Sequence, residues 1–347
     1  MTANYSDDTE GARVCLERSL DMIRAATGAV PVDSDTFRFL DCGAADGGTA
    51  LGLWSNVLEL ALGREGVTRF ELLANDLPSN DFDALGINVA RTVADRPDAL
   101  GLMVPRSFYA PVAAPGSVHL GFSATAMHWL SEKPILLRTH THANATPDVA
   151  ARNAFAAVAQ RDWRRILTRR AEELAPGGEL VLVNLARDGD GRFLGRNHEH
   201  ECMHDVLHDL WKGLREEGRI DEEAYVRGTF QNFYKSEAEL TECLTDAAST
   251  PHRAGLRLVT SRVELVPCFY RARFAKDGDT DAFADGLMRT VRSWSEHTFR
   301  DALGERTDRQ AVCDTLYARY RAAIAAAPER HSMDYVQSYL RLRKVAA

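Results

Sequence analysis

The sequence predicts an α/β fold built on an open, mostly parallel, doubly wound sheet. Three observations carry this. Short apolar runs of strand character alternate with amphipathic helical stretches, the runs end in turns rich in Asp, Gly or small residues, and they are apolar on both faces, as strands covered from both sides are. In chain order, residues 13–25 read as a helix with Val14, Leu16, Leu20, Met22 and Ile23 among charges. Residues 36–42 (TFRFLDC) form a strand ending at Asp41, and the small residues Gly43 to Gly48 follow at once. A helix over 49–62 comes next, then a strand over 69–74 that runs into Asn75-Asp76-Leu77-Pro78. Residues 81–93 form a helix capped by Asn80 or Asp81, and 117–122 form a further strand leading to His128 and Trp129.

Beyond that point a long helix over 148–174 is closed by Ala175-Pro176-Gly177-Gly178, and 179–184 (ELVLVN) is the next strand. The stretch 186–249 breaks the alternation; it is helical and charged and reads as an insertion or lid. Strand character returns over 256–265 and 268–274, on either side of Pro267. A second helical block covers 280–327, and period-2 alternation over 335–345 predicts a last, antiparallel strand. The expected division is a core of 1–185 with 250–279 and 328–347, capped by 186–249 and 280–327.

Composition narrows the function classes. The 347 residues carry 42 Lys+Arg against 50 Asp+Glu, a net charge of −8, which argues against a nucleic-acid or anionic-membrane partner. No apolar run reaches the roughly 18 residues a membrane helix needs. The N-terminal segment is acidic where a signal peptide is basic and then apolar. The 6 cysteines are scattered, with no CxxC pair, as expected for reduced thiols in a cytoplasmic enzyme.

The chemistry is concentrated at the first two strand ends, where open α/β sheets bind ligands. A dinucleotide site asks for G-x-G-x-x-G and an acid roughly 20 residues on for the ribose. Gly43, Ala45 and Gly48 give G-x-A-x-x-G, and the next strand-end acid, Asp76, comes 33 residues after Gly43. S-adenosylmethionine (SAM) has no pyrophosphate; it needs small residues beside its methionine part and an acid at the second strand end. Asp41 and Asp76 fit that pattern better, although the glycines alone leave a nicotinamide dehydrogenase open.

Several segments occur together and in order: Leu40-Asp-Cys-Gly-Ala-Ala-Asp-Gly47, Asn75-Asp-Leu-Pro-Ser-Asn-Asp-Phe82, Ser107-Phe-Tyr109, His128-Trp-Leu-Ser131, Ala175-Pro-Gly-Gly178 and Glu217-Gly-Arg-Ile-Asp-Glu222. In this combination the chain resembles the SABATH family of small-molecule methyltransferases. The resemblance implies a Rossmann-like class I methyltransferase sheet with a helical cap, SAM as cofactor, a small-molecule acceptor and a homodimer. It further implies a cofactor pocket of Tyr5, Thr9, Asp41, Gly43, Gly47, Thr49, Asp76, Leu77, Ser107, Phe108 and Ser123. His128 and Trp129 fall at the transfer site. Ala12, Thr125, Met127, Trp211 and Phe230 join them as expected acceptor-binding positions.

The family grips a carboxylate with a Gln and the Trp of H-W-L-S. Trp129 is present, but the Gln position falls on Ala12. This departure leaves open an acceptor nitrogen, for which His128 would take a proton. Some members carry magnesium; the corresponding positions here are His140 and the Arg227–Gln231 stretch, which lack the Asn and acid required, so no metal is expected. His200, His204 and His208 fall at i, i+4 and i+8, a spacing able to bind zinc, yet without H-E-x-x-H they read as a solvated lid face. The expectation is thus a SAM-dependent carboxyl O-methyltransferase acting on a small aryl, indolyl or fatty acid. The alternatives are N-methylation of a heteroaromatic ring, nicotinamide chemistry on the same scaffold, or a catalytically dead ligand-binding relative.

Overall fold

The structure is a computed structural model that describes residues 5–345. Eight strands form one sheet: β1 (Thr36–Cys42), β2 (Arg69–Asp76), β3 (Ala99–Pro105), β4 (Val118–Ala124), β5 (Leu174–Arg187), β6 (Lys235–Ser236), β7 (Leu256–Val266) and β8 (Tyr335–Lys344). Their order is β3-β2-β1-β4-β5-β8-β7, with β6 paired to the far end of β5. β1 to β5 are mutually parallel where they pair, while β8 runs antiparallel to both β5 and β7. The order reverses between β1 and β4, so a crevice opens at their carboxyl ends.

Both sheet faces are covered, which is why the central strands read as continuous apolar runs. Phe37, Phe39, Phe70, Leu72, Leu120 and Phe122 pack on one face against the helices Leu20–Ala29 and Leu51–Leu62. Leu40, Leu73, Leu180 and Leu182 pack on the other against Trp163, Ile166 and Leu167 of the helix Val149–Glu173. A third apolar cluster joins the helices Met203–Glu216, Thr280–Ala302 and Arg309–Ala326 through Trp211, Leu214, Val291, Phe299, Leu316 and Tyr317. Glu179, fully buried in β5, accepts hydrogen bonds from Arg341 and Arg343 of β8, which fixes the antiparallel register there.

Four sequence expectations are corrected. The first helix is two, Glu10–Glu17 and Leu20–Ala29, with a break at Arg18-Ser19. β3 was not expected; it is the sheet edge, where Leu100, Leu102 and Met103 stay exposed and the burial signal is weak. β5 begins at Leu174 and absorbs the Ala175–Gly178 segment expected to be a helix stop. Residues 268–274, read as a strand, lie instead in the helix Phe269–Asp277. Cys268 caps it, its Sγ accepting from the Arg271 N–H at 3.4 Å, and Phe274 stacks on Phe283 at 5.0 Å.

Candidate active site

A cavity of about 790 Å³ opens at the carboxyl ends of β1, β2 and β4 and extends under the helices that follow β5. Its floor is made by tight backbone. Gly43 sits at φ 79°, and a Cβ there would lie 2.3 Å from that of Ala126, so only glycine fits. Thr125, β-branched, sits at φ 54° where the chain leaves β4, a strained conformation of the kind found at ligand sites. A side recess of about 40 Å³ adjoins the cavity and is lined by Ala12, Asp41, Gly43, Thr49 and Thr125 among others.

Asp41 is 2 % exposed, and its carboxylate accepts the Trp54 indole N–H at 2.7 Å. Burial pushes its pKa up to about 7; the Trp54 hydrogen bond opposes this and Asp76 reinforces it. A buried carboxyl whose one hydrogen bond among the described residues is from a neutral indole is complementary to a cation. Thr49 Oγ1 and Thr125 Oγ1, both buried without a partner, stand at the same recess. Asp76, at the end of β2, accepts from the backbone N–H groups of Ala45 and Leu77, both at 2.7 Å. Each oxygen thereby keeps a lone pair for a hydroxyl donor, and burial raises this carboxyl too. Leu77, Ser107 and Phe108 line the cavity beside it, and Thr9 lies across.

The other end is organised around His128 and Trp129. The segment 128–130 is clamped to 231–233: Phe233 N–H donates to His128 O, Leu130 N–H to Gln231 O, and Gln231 Nε2 to Leu130 O. Tyr109 Oη donates to Trp129 O at 2.6 Å, and buried Asp162 accepts from Ser131 N and Oγ. The Trp129 indole N–H has no hydrogen-bond partner among the described residues, and its ring lines the cavity. His128 packs between Trp129 (5.3 Å) and Tyr234 (5.7 Å). Burial, with Lys235 adding to it, holds its pKa down at about 3, so the ring is neutral.

Residues 2–345 match the family of SAM-dependent carboxyl methyltransferases. The chain belongs to this family. It is 26 % identical over 304 residues to salicylate carboxymethyltransferase of Clarkia breweri, covering 82 % of this chain and 78 % of that protein. It is 26 % identical over 293 residues to jasmonate O-methyltransferase of Arabidopsis thaliana, covering 73 % and 71 %. A probable 7-methylxanthine methyltransferase of Theobroma cacao is 29 % identical over 199 residues, 52 % of this chain and 54 % of its own. Among solved structures, loganic acid methyltransferase with S-adenosylhomocysteine superposes with a TM-score of 0.79 at 19 % identity, covering 100 % of this chain and 97 % of that one.

SAM is therefore the methyl donor of this methyltransferase, and the residues present fit it. The recess supplies a carboxyl suited to the ammonium group, and Asp76 supplies acceptors for ribose hydroxyls.

The structure places some expected site residues elsewhere. Gly47 does not reach the cavity; it lets Trp54 approach, since a Cβ there would meet the Trp54 ring at 2.5 Å. Ser123 Oγ donates to Cys42 O at 2.7 Å and ties β4 to β1. Met127 faces the sheet core with Leu40, Trp163 and Leu182, because the turn at Thr125 rotates it away. Trp211 donates to Tyr225 O and Phe230 packs edge-on to Phe299; both are fully buried behind the cavity wall. Ala12 does line the cavity, with its methyl group. The Tyr5 side chain lies outside the described residues.

Of the three histidines expected on a solvated lid face, His204 and His208 turn inward, while His200 lies before the helix, half-buried and bonded to Asn197. His204, Leu207, His208, Trp211 and Leu214 share the buried face of one helix at i, i+3 and i+4 spacing. His204 lies against His142 at 4.0 Å, and His208 stacks on His140 at 4.4 Å. These rings lie face against face instead of converging on a point, and among the described residues there is no His, Cys, Asp and Glu group able to hold a metal ion.

Sequence reasoning missed the wall opposite Trp129: Trp294, His297 and Thr298 on the helix Thr280–Ala302, with Tyr335 at the start of β8. The signal was available. An aromatic, a histidine and a threonine at i, i+3 and i+4 mark one face of a helix whose neighbouring turns carry Val291 and Phe299.

Proposed function

We propose that the protein is a carboxyl O-methyltransferase that makes the methyl ester of a small lipophilic acid, of aryl, indolyl or fatty type. The observation that carries this reading is the Trp129 indole N–H, a donor-only group with no partner among the described residues, on a ring that lines the cavity beyond the cofactor end. SAM supplies an electrophilic methyl group, which an acceptor oxygen takes by in-line displacement as S-adenosylhomocysteine leaves. The chain's own task is to hold and orient. Asp41 and Asp76 bind the cofactor's ammonium and ribose, Leu77 and Phe108 flank its adenine, and Trp129 orients the carboxylate. A carboxylate is ionised at neutral pH, so no general base is required, and a neutral His128 is consistent with that. Positioning of this kind is worth roughly 7–11 kcal/mol when the reacting atoms are held in line. The segments 186–249 and 280–327 act as a cap that excludes water.

The test is incubation of the purified protein with methyl-labelled SAM and a panel of aryl, indolyl and fatty acids. Label that is released by mild alkali is the expected product; its absence with every acid overturns the reading. The second reading, N-methylation of a heteroaromatic ring, is favoured by Ala12 at a donor position and by the likeness to a probable 7-methylxanthine methyltransferase. Alkali-stable label identifies it. A cytoplasmic location is supported by six free, buried cysteines, and no described helix is long and apolar enough to cross a membrane.

A further inference from the structure

We propose that His297 supplies the second hydrogen bond to the acceptor carboxylate, facing the Trp129 indole N–H; this rests on the carboxyl reading above. A carboxylate presents two oxygens, and one indole N–H holds only one of them, leaving the group free to pivot about that bond. Two donors fix its plane and so fix which lone pair faces the methyl group. Ala12, which lines the same cavity, contributes a methyl group and no donor.

His297 stands where a second donor is required. Its ring centroid is 5.4 Å from that of Trp129, with the planes tilted by 58°, and both rings line the cavity. Trp294 and Thr298 flank it on the same helix face, so this face is the cavity wall. Among the described residues its only hydrogen-bond partner is Thr298 Oγ1 at 3.5 Å, at the limit of a real bond. The imidazole is thus half-buried with unused polar capacity, a state that asks for a ligand or water.

Its charge state fits the role. Burial pushes its pKa down to about 4; Lys133 and Arg300 push the same way and Asp301 opposes them. At neutral pH the ring keeps one N–H to donate and needs no counter-ion. Of the nearby donors, Gln231 Nε2 already donates to Leu130 O at 2.7 Å, whereas the His128 ring, wedged between Trp129 and Tyr234, keeps a buried Nδ1 with no partner among the described residues.

Steady-state kinetics of His297→Phe and His297→Gln, with benzoate, indole-3-acetate and octanoate as probes, test this. His297→Phe keeps a ring and removes the donor, and the KM of the acid is expected to rise roughly tenfold to a hundredfold. His297→Gln retains a donor and is expected to stay within about threefold of wild type. S-adenosylhomocysteine affinity and thermal midpoint should be unchanged in both. If wild type forms ester and His297→Phe keeps its KM, the inference falls and the carboxyl reading stands. It also falls alone if His297→Gln, folded and binding S-adenosylhomocysteine, is as impaired as His297→Phe. If wild type forms no alkali-labile ester with any probe, both fall together.

Discussion

Asp41 shows at a single residue how the site conflicts with the stability of its own fold. Its carboxyl is raised from 3.8 to about 7 by burial, so between those values the folded chain binds more protons than the unfolded one. Stability of the cofactor-free protein therefore falls as pH rises through that window. Asp41→Asn removes the penalty while keeping an oxygen for Trp54. It is expected to stabilise the free protein at pH 8 by roughly 1–3 kcal/mol and to change little at pH 4, read by urea unfolding at the two pH values. The same variant should weaken S-adenosylhomocysteine binding at least about tenfold, since the ammonium loses its partner. Loss of stability at pH 8 would contradict this account of Asp41. The role proposed for Asp41 was legible in the sequence because a strand-end acid before a glycine turn is a local pattern. The role proposed for His297 was not, because it depends on a helix 168 residues after Trp129 being folded across the crevice.

At the scale of elements, the central strands were readable because they are covered on both faces, and the edge strand β3 was not. Residues 268–274 misled for the reverse reason: a β-like composition with aromatic residues was overridden by a cap at Cys268 and by packing of Phe274 on Phe283. The segment beyond β5 was expected to give Trp211 and Phe230 to the acceptor, but both side chains pack among the apolar residues of the cap instead. Phe230 meets Trp294 at 5.6 Å and Phe299 at 5.4 Å, and so stands one layer behind the wall. Phe230→Ala is therefore expected to cost about 3–5 kcal/mol of unfolding free energy. It should also raise the acceptor KM through the loosened Trp294, with cofactor affinity retained. Chemical denaturation and steady-state kinetics on the same preparation check both. A stability loss below about 1 kcal/mol would contradict the packing described.

For the whole molecule, the −8 charge argues against a nucleic-acid partner and leaves the acceptor's charge open. On the proposed carboxyl reading, the cavity divides its charged groups between two ends. Asp41 and Asp76 stand at the end suited to a cationic sulfonium donor, while Lys133 and Arg300 line the other part of the cavity. The homodimer implied by the family is a proposal about the same molecule; sedimentation equilibrium giving twice 38.4 kDa supports it, and the single mass overturns it. The account as a whole turns on one atom, the indole nitrogen of Trp129. Trp129→Phe keeps an aromatic ring beside His128 and His297 and removes the N–H together with the five-membered half of the indole. With methyl-labelled SAM and a turned-over acid, kcat/KM should fall at least about tenfold while S-adenosylhomocysteine binds as in wild type. Unchanged kcat/KM for the acid would contradict it.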